Sequence, residues 1–357
     1  MTVPAIRKGQ PDPKLDHDTF VARYRQQFFD PAFDPMSAQI LALAEIAWDA
    51  YRDGRKAPRT SPAGSGYKNP DYELSDEWRA VSDAIRAAQA RQQRPETPSR
   101  LLLICGSPRS EHTCPGEMSK TYRLLDAAHR EAVRLGFECD VLELNRLTSE
   151  YGRHIHPCKA CVSTAMPLCH WPCSCYPNHS LGQTQDWMGE IYPRWVAAHG
   201  VIILAPVHWN QAPSVLKLMM DRLVCADGGN PDPTSTQGKT PELAKAIELD
   251  GWDYPQHLAG RAFAVIVHGD TEGAQNSRRA LADWLSETGL IEAGRKSLLD
   301  RYIGYYEPYA TSHEALDRDE GIFTETRNAV RALAECVQQL RTGVVPPGTG
   351  LKDPRKK

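Results

Sequence analysis

The sequence predicts an α/β fold, a parallel sheet covered by helices on both faces, and three observations support this. Short apolar runs recur from residue 101 onward: "LLLIC", "VIILAP" and "RAFAVIVHGD". Strands buried on both faces read in this continuous way rather than as an alternation. Amphipathic helical stretches separate these runs, and strand–helix alternation of this kind builds βαβ units. The right-handed crossover rule then leaves few topologies.

Bulk properties narrow the function. The 357 residues suffice for one large domain with additions, or for two. A formal net charge of −3 gives no overall basic field, so nucleic acid is not expected as a partner. No apolar run approaches the roughly 18 residues of a membrane helix, so no membrane partner is expected either. The stretch "MTVPAIRKGQPDPKLDHDTF" lacks the apolar core of an export signal. The expected location is cytoplasmic, where clustered cysteines bind metal or do redox work more often than they form disulfides.

Residues 1–98 read as an N-terminal helical extension. "DPMSAQILALAEIAWDAYRDG" offers Asp34 as N-cap, Pro35 at the first helical position and Gly54 just past the end. "SDEWRAVSDAIRAAQA" opens at Ser75 with two acids in its first turn, and Trp78, Val81, Ile85 and Ala88 mark one face. "RKAPRTSPAGSGYKNP" and "RPETPSR" are connectors. The plain reading is a cap or dimerisation arm without a catalytic role.

Residues 99–290 hold the alternation. "LLLIC" is the first strand, and the helix "SKTYRLLDAAHREAVRLG" closes at Gly136. "CDVLEL" is the second strand. A cysteine-rich loop spans 156–179, followed by a helix in "DWMGEIYPRWVAAHG" that Pro193 bends or shortens. "VIILAP" is the third strand. In the helix "PSVLKLMMDRLV", Lys217 and Asp221 stand at i and i+4, a surface ion pair by default. The polar excursion from Ala226 to His257 exceeds a normal loop and is expected to pack against something. "RAFAVIVHGD" is the fourth strand, "RRALADWLSETG" a helix, and a fifth strand is expected near "LIEAGRKS". The segment 291–357 continues with the amphipathic helix "TETRNAVRALAECVQQLRTG" and ends in the polar tail "KDPRKK", which is expected to be disordered.

In an open parallel sheet, ligands bind beyond the carboxyl ends of the strands, where the strand order reverses. "CGSPRSEHTCPGEMSKTYRLL" occupies that place after the first strand. It supplies Gly106 for a turn, hydroxyls at Ser107, Ser110, Thr113, Ser119 and Thr121, and the fixed charge of Arg109. Hydroxyls, backbone N–H groups, a guanidinium and a helix N-terminus together suit a phosphate monoester. The alternative is a Ser/Thr-rich loop that merely caps the helix. No G-x-G-x-x-G follows a strand, and "GKT" at Gly238–Thr240 has Pro233 where a P-loop needs glycine.

"GSPR" after the first strand, "PVHW…APSVLKLMMDR" after the third and "HGD" after the fourth resemble the NADPH-dependent FMN reductases and their relatives, the iron–sulfur flavoproteins. The resemblance covers about Leu101 to Thr288. It implies a flavodoxin-like, doubly wound, five-stranded parallel sheet and bound FMN. By that resemblance Ser107 and Arg109 begin the phosphate loop. Ser119 and Thr121, rather than Thr113, would complete it, because they immediately precede the helical run. Pro206, Val207, His208, Trp209 and Asn210 would lie along the isoalloxazine ring, with Trp209 offering a π-face. A core aromatic is the other reading of Trp209. Gly269 and Asp270 would end the fourth strand beside the flavin, and His268 reads equally as a satisfied core histidine.

"HPCKACVSTAMPLCHWPCSCYPNH" carries Cys158, Cys161, Cys169, Cys173 and Cys175 with three histidines interspersed. Iron–sulfur flavoproteins have a compact cysteine motif at the corresponding place. Thiolates are soft donors suited to iron, and short spacings bring four around one centre. Here the gap from Cys161 to Cys169 is long, and three readings stay open: an iron–sulfur cluster, zinc on Cys and His, or unmetallated thiols. With metal, Cys158 and Cys161 are the first ligands expected, joined by Cys169 and by Cys173 or Cys175.

The expected function is therefore an FMN-dependent NAD(P)H oxidoreductase passing electrons from a nicotinamide through FMN to an unknown second acceptor, as a homo-oligomer. In such chemistry the cofactor performs the hard step, and no catalytic residue is assigned. The alternatives are a flavin/iron–sulfur electron carrier reduced by a protein partner, and a zinc-stabilised scaffold without activity.

Overall fold

The computed structural model of the chain describes residues 2–345, so the tail "KDPRKK" lies outside the described residues. The N-terminal extension contributes a short antiparallel ladder, β1 (Thr60–Pro62) with β2 (Glu73–Ser75). The main sheet comprises β3 (Arg100–Cys105), β4 (Glu138–Glu143), β5 (Gly200–Pro206), β6 (Ala262–Gly269), β7 (Ile291–Glu292) and β8 (Leu298–Tyr302). All its pairings are parallel, and the order is β4-β3-β5-β6-β7 with β8 also on β6. After β3 the chain steps outward to β4 and then crosses to β5 on the other side. The switch point therefore lies between β3 and β5.

Two apolar layers flank the sheet. Leu102, Ile104, Val201, Ile203, Phe263 and Val265 face the layer built by the helices Asp76–Gln93, Met188–Ala197, Ser214–Arg222 and Ala274–Glu287. Leu101, Leu103, Cys105, Ile202, Leu204 and Ala264 face the helices Lys120–Arg134 and Glu320–Arg341. Gly200 starts β5 under the last of these. A Cβ there would come within 2.8 Å of Val337 Cγ2 and 2.9 Å of Leu101 Cδ2.

Most elements stand where their patterns place them, with three differences. The helix expected from Asp34 begins at Ser37, after a 3-10 turn over Pro31–Met36 that Asp30 caps by accepting the Ala32 N–H. "Asp-Pro" occurs at both 30–31 and 34–35, and the earlier copy takes the cap. The fifth sheet position is shared by β7 and β8, because Gly294 (φ +85°) and the turn Arg295–Ser297 interrupt the extended chain between them. Third, the helix Asp76–Gln93, capped by Ser75, belongs to the sheet's own core through Ile85.

The excursion 226–257 forms a 3-10 turn (Pro233–Thr236) and a helix (Pro241–Gly251). It packs on the cysteine-rich loop: Asn230 N donates to Cys169 O at 2.7 Å and Trp171 N to Asn230 O at 2.8 Å. Lys217 and Asp221 form an exposed ion pair. Among the described residues, no helix is long and apolar enough to cross a membrane.

Candidate functional site

A cavity of about 260 Å³ opens at the switch point. Residues following β3 (Ser107, Arg109, Ser119, Lys120, Thr121), β5 (Val207, His208) and β6 (Asp270) line it, joined by Pro206, His268 and Gly269 at the strand ends and by Ile303 and Tyr309. Of the eleven residues expected at a cofactor, nine lie on this lining; Trp209 and Asn210 do not.

The loop after β3 is held by its own hydroxyls. Ser107 Oγ accepts the Arg109 N–H at 3.1 Å, leaving its proton free to donate. Thr113 closes a turn on Ser110 by accepting the Ser110 N–H at 3.1 Å and donating to its carbonyl at 2.7 Å. Ser119 is the N-cap of the helix Lys120–Arg134, accepting the Tyr122 N–H at 3.1 Å. Removing that cap with Ser119→Ala is expected to destabilise the protein by about 1 kcal/mol, measured by urea unfolding. Thr121 is buried and shares a 2.8 Å hydrogen bond with His268 Nε2. Burial holds His268 down to about 3, with the Lys120 charge adding to the effect, so the ring is neutral at pH 7 and acts as a fixed strut.

Two cations face the cavity. Arg109 Nε is buried and has no hydrogen-bond partner among the described residues, while its Nη2 lies 3.6 Å from Glu117. Lys120 is 7% exposed, and its ammonium donates to the Ile303 carbonyl at 3.2 Å. Burial lowers its pKa, and the nearby Asp270 and Glu117 charges oppose that. Both cations lie over the Tyr309 ring, the Arg109 carbon 5.7 Å and the Lys120 nitrogen 5.2 Å from its centroid. An orphaned guanidinium nitrogen, a desolvated ammonium, free hydroxyl donors and a helix N-terminus fit a phosphate dianion in charge and in donor count. Gly269 keeps the wall thin: a Cβ there would meet Val207 Cβ at 3.2 Å.

Lys120 and Tyr309 were not among the expected residues. A cation in the first turn of a helix opposes the macrodipole, so Lys120 carried a readable signal of an anion nearby. Tyr309 arrives from beyond the sheet, and nothing local marks it.

Trp209 is not a core aromatic. It is 97% exposed at the tip of a tight turn in which His208 and Gln211 exchange backbone hydrogen bonds at 2.9 Å. Trp209 (φ +48°) and Asn210 (φ +61°) sit at its centre, the double left-handed geometry of a type I′ turn. Asn tolerates this conformation; Trp is held in it at a cost of roughly 1–2 kcal/mol.

The cysteine-rich loop forms a second centre. Cys161 lies close enough to Cys169 and Cys175, and Cys173 to Cys175, for these thiols to perturb one another, so the four form one cluster. Cys158 stands outside this cluster. Its sulfur accepts the Ala160 N–H at 3.3 Å and lines a different cavity with Val162 and Met220. The histidines are engaged elsewhere: His156 with Thr184 O, His170 with Ser174 and Thr236, His179 with Glu77. Among the described residues, no three or more His, Cys, Asp or Glu side chains converge on a single-ion site. The neighbouring Cys169 thiol pushes Cys161 up to about 11; the neighbouring Cys175 thiol and burial raise Cys173 well above the usual thiol range. As free thiols, Cys161 and Cys173 are therefore protonated and unreactive at neutral pH, whereas a thiophilic metal core would deprotonate them. Four soft donors, Cys169 and Cys175 buried and Cys161 and Cys173 half-buried, fit such a core in chemistry.

Strand order and switch-point cavity define a flavodoxin-like α/β protein. The chain belongs to the NADPH-dependent FMN reductase family, whose sequence model matches residues 99–302, more than half of its length. It is 31% identical over 125 residues to an iron–sulfur flavoprotein of Methanosarcina thermophila, covering 35% of this chain and 52% of that one. The chain thus spans about half the length of the curated relative it matches. Among solved structures, RosB with a bound 8-demethyl-8-formylriboflavin-5′-phosphate intermediate aligns with a TM-score of 0.49 at 14% identity, over 69% of this chain and 82% of that one. The NAD(P)H:quinone oxidoreductase from Methanothermobacter marburgensis aligns with a TM-score of 0.39 at 16% identity, over 66% and 96%.

Proposed function

We propose that this chain is an FMN-dependent oxidoreductase that takes electrons from NADPH or NADH and passes them to a second acceptor. The observation that carries this reading is the pairing of Arg109 and Lys120 over Tyr309 at the switch-point cavity, beside the hydroxyls of Ser107 and Ser119. Bound FMN would supply hydride acceptance from the nicotinamide and onward electron release. The chain's own residues bind and orient it. Arg109 and Lys120 neutralise the phosphate, Ser107 and Ser119 donate to it, and Thr121–His268 fixes the floor. Pro206 and Val207, with Gly269 and Asp270 on the neighbouring strand end beside them, wall the cavity toward the ring, and the turn at Trp209 and Asn210 follows directly in the chain. Purified with its flavin and mixed anaerobically with NADPH or NADH, the protein is expected to bleach near 450 nm. Flavin that stays yellow with both donors removes the reductase reading.

A further reading concerns the clustered thiols. We infer that Cys161, Cys169, Cys173 and Cys175 hold an iron–sulfur centre that accepts or relays electrons, with Cys158 outside the ligand set. The clustering of these four sulfurs, two of them buried, supports it. Iron and acid-labile sulfide analysis of anaerobically purified protein tests it, and absence of both refutes it.

A further inference from the structure

The inference concerns the surroundings of the four clustered thiols and rests on the iron–sulfur reading above. Two lysines from distant parts of the chain reach this centre. Lys239, from the excursion 226–257, places its ammonium 3.8 Å from Cys161 Sγ and donates to the Leu168 carbonyl, next to Cys169, at 2.7 Å. Lys56, from the connector after the N-terminal helices, donates to the carbonyl of Ser174, which lies between Cys173 and Cys175. Both line one cavity of about 280 Å³, walled by Tyr72, Leu74, Trp78 and Tyr176. Among the described residues neither forms an ion pair with a carboxylate; Glu73 lines the same cavity but is exposed and pairs with neither. The nearby buried guanidinium of Arg222 contrasts with them, since Asp186 compensates it through bonds of 2.8 and 2.6 Å.

Two half-buried ammonium groups held in one cavity without a carboxylate partner among the described residues leave positive charge uncompensated. Neutral thiols compensate neither. Four thiolates around a core of formal charge +2 leave two negative charges, one for each lysine. We propose that Lys56 and Lys239 are the counter-charges of an anionic iron–thiolate centre, and that the N-terminal extension delivers Lys56 to it and shields it from water. The same extension is tied to the loop at two further points, Trp78 Nε1 donating to Pro172 O at 2.8 Å and His179 N to Lys56 O at 2.9 Å, and to the excursion that carries Lys239 by Asn69 N donating to Thr234 Oγ1 at 3.0 Å. Both lysines act through the centre's charge rather than on substrate, so they are positioning and tuning residues.

The test compares anaerobically purified wild type with Lys56→Met, Lys239→Met and Lys56→Arg, measuring iron, labile sulfide, FMN content and the midpoint potential of the centre. Cluster potentials follow net charge and hydrogen bonds to sulfur. Removing a cation is therefore expected to favour the less negative, oxidised state and move the midpoint to more negative values, while Lys56→Arg stays near wild type. A methionine variant that loses iron but keeps FMN, with loading restored in Lys56→Arg, supports the same role. Loaded methionine variants that titrate at the wild-type potential overturn it. Wild-type protein without iron and sulfide removes the iron–sulfur reading itself, and with it this inference.

Discussion

Replacing Lys120 with methionine and Arg109 with alanine together is expected to weaken FMN binding by about two to four orders of magnitude. Each of these charged donors is worth roughly 1.5–3 kcal/mol to a bound anion, and each single variant should lose about ten- to a hundred-fold. The two side chains start from different states. Lys120 is nearly buried, with a carbonyl as its one hydrogen-bond partner among the described residues, so without FMN its ammonium is under-solvated. Lys120→Met should therefore leave the unliganded protein no less stable, or slightly more so. Arg109 is partly exposed near Glu117, and its removal should barely move stability. Fluorescence titration of FMN together with urea unfolding of the flavin-free protein separates affinity from folding. Affinity within threefold of wild type in the double variant, with the fold intact, would remove the phosphate role.

Acid is expected to destabilise the protein well above the pH at which its carboxylates titrate. Burial holds His268 at about 3 and His199 at about 4, against an ordinary value near 6.5. His199 accepts the Arg100 N–H through Nδ1 and donates from Nε2 to Gln92 O, so it joins the sheet to the extension only while neutral. Below about pH 6.5 the unfolded chain takes up protons on these rings and the folded chain does not. Stability is thus full above that pH, falls as pH drops toward 4, and stops falling on this account below about 3. At about 1.4 kcal/mol per pKa unit, the two rings together cost on the order of several kcal/mol at pH 4. Glu131, lowered to about 2 by its hydrogen bond from Arg134 and by Arg331, adds a separate loss only below about pH 4.5. Urea midpoints at pH 7, 5 and 4 measure the slope, and the double variant His199→Gln, His268→Gln should flatten it between pH 7 and 5. Equal slopes in wild type and variant would contradict the assignment.

Much of the fold was legible because burial on both faces leaves a local mark. "LLLIC", "VIILAP" and "AFAVIVHG" can only be inner strands, and Ser75 and Ser119 announce their helices as caps. The edge was harder to read: Gly294 lets one apparent strand become two, and a repeated Asp-Pro hides which copy caps the first long helix. At the cavity, the position of the Ser/Thr-rich loop after the first strand marked the residues after β3, and the family resemblance of "PVHW" and "HGD" marked those after β5 and β6, because they are contiguous with strands. Tyr309 and Ile303 come from later chain, and no local pattern ties them to a loop nearly two hundred residues earlier. The lysines at the thiols were illegible for the same reason. Lys56 reads as one charge in a basic connector and Lys239 as part of a spurious "GKT"; only the tertiary contacts bring them together.

A crystal structure of the protein bound to FMN tests the central claim most directly. The phosphate is expected between Ser107 and Thr121, within hydrogen-bond reach of the Arg109 guanidinium and the Lys120 ammonium, with the ring running toward Pro206, Val207 and Gly269. FMN ordered anywhere else, with this cavity holding only water, contradicts it.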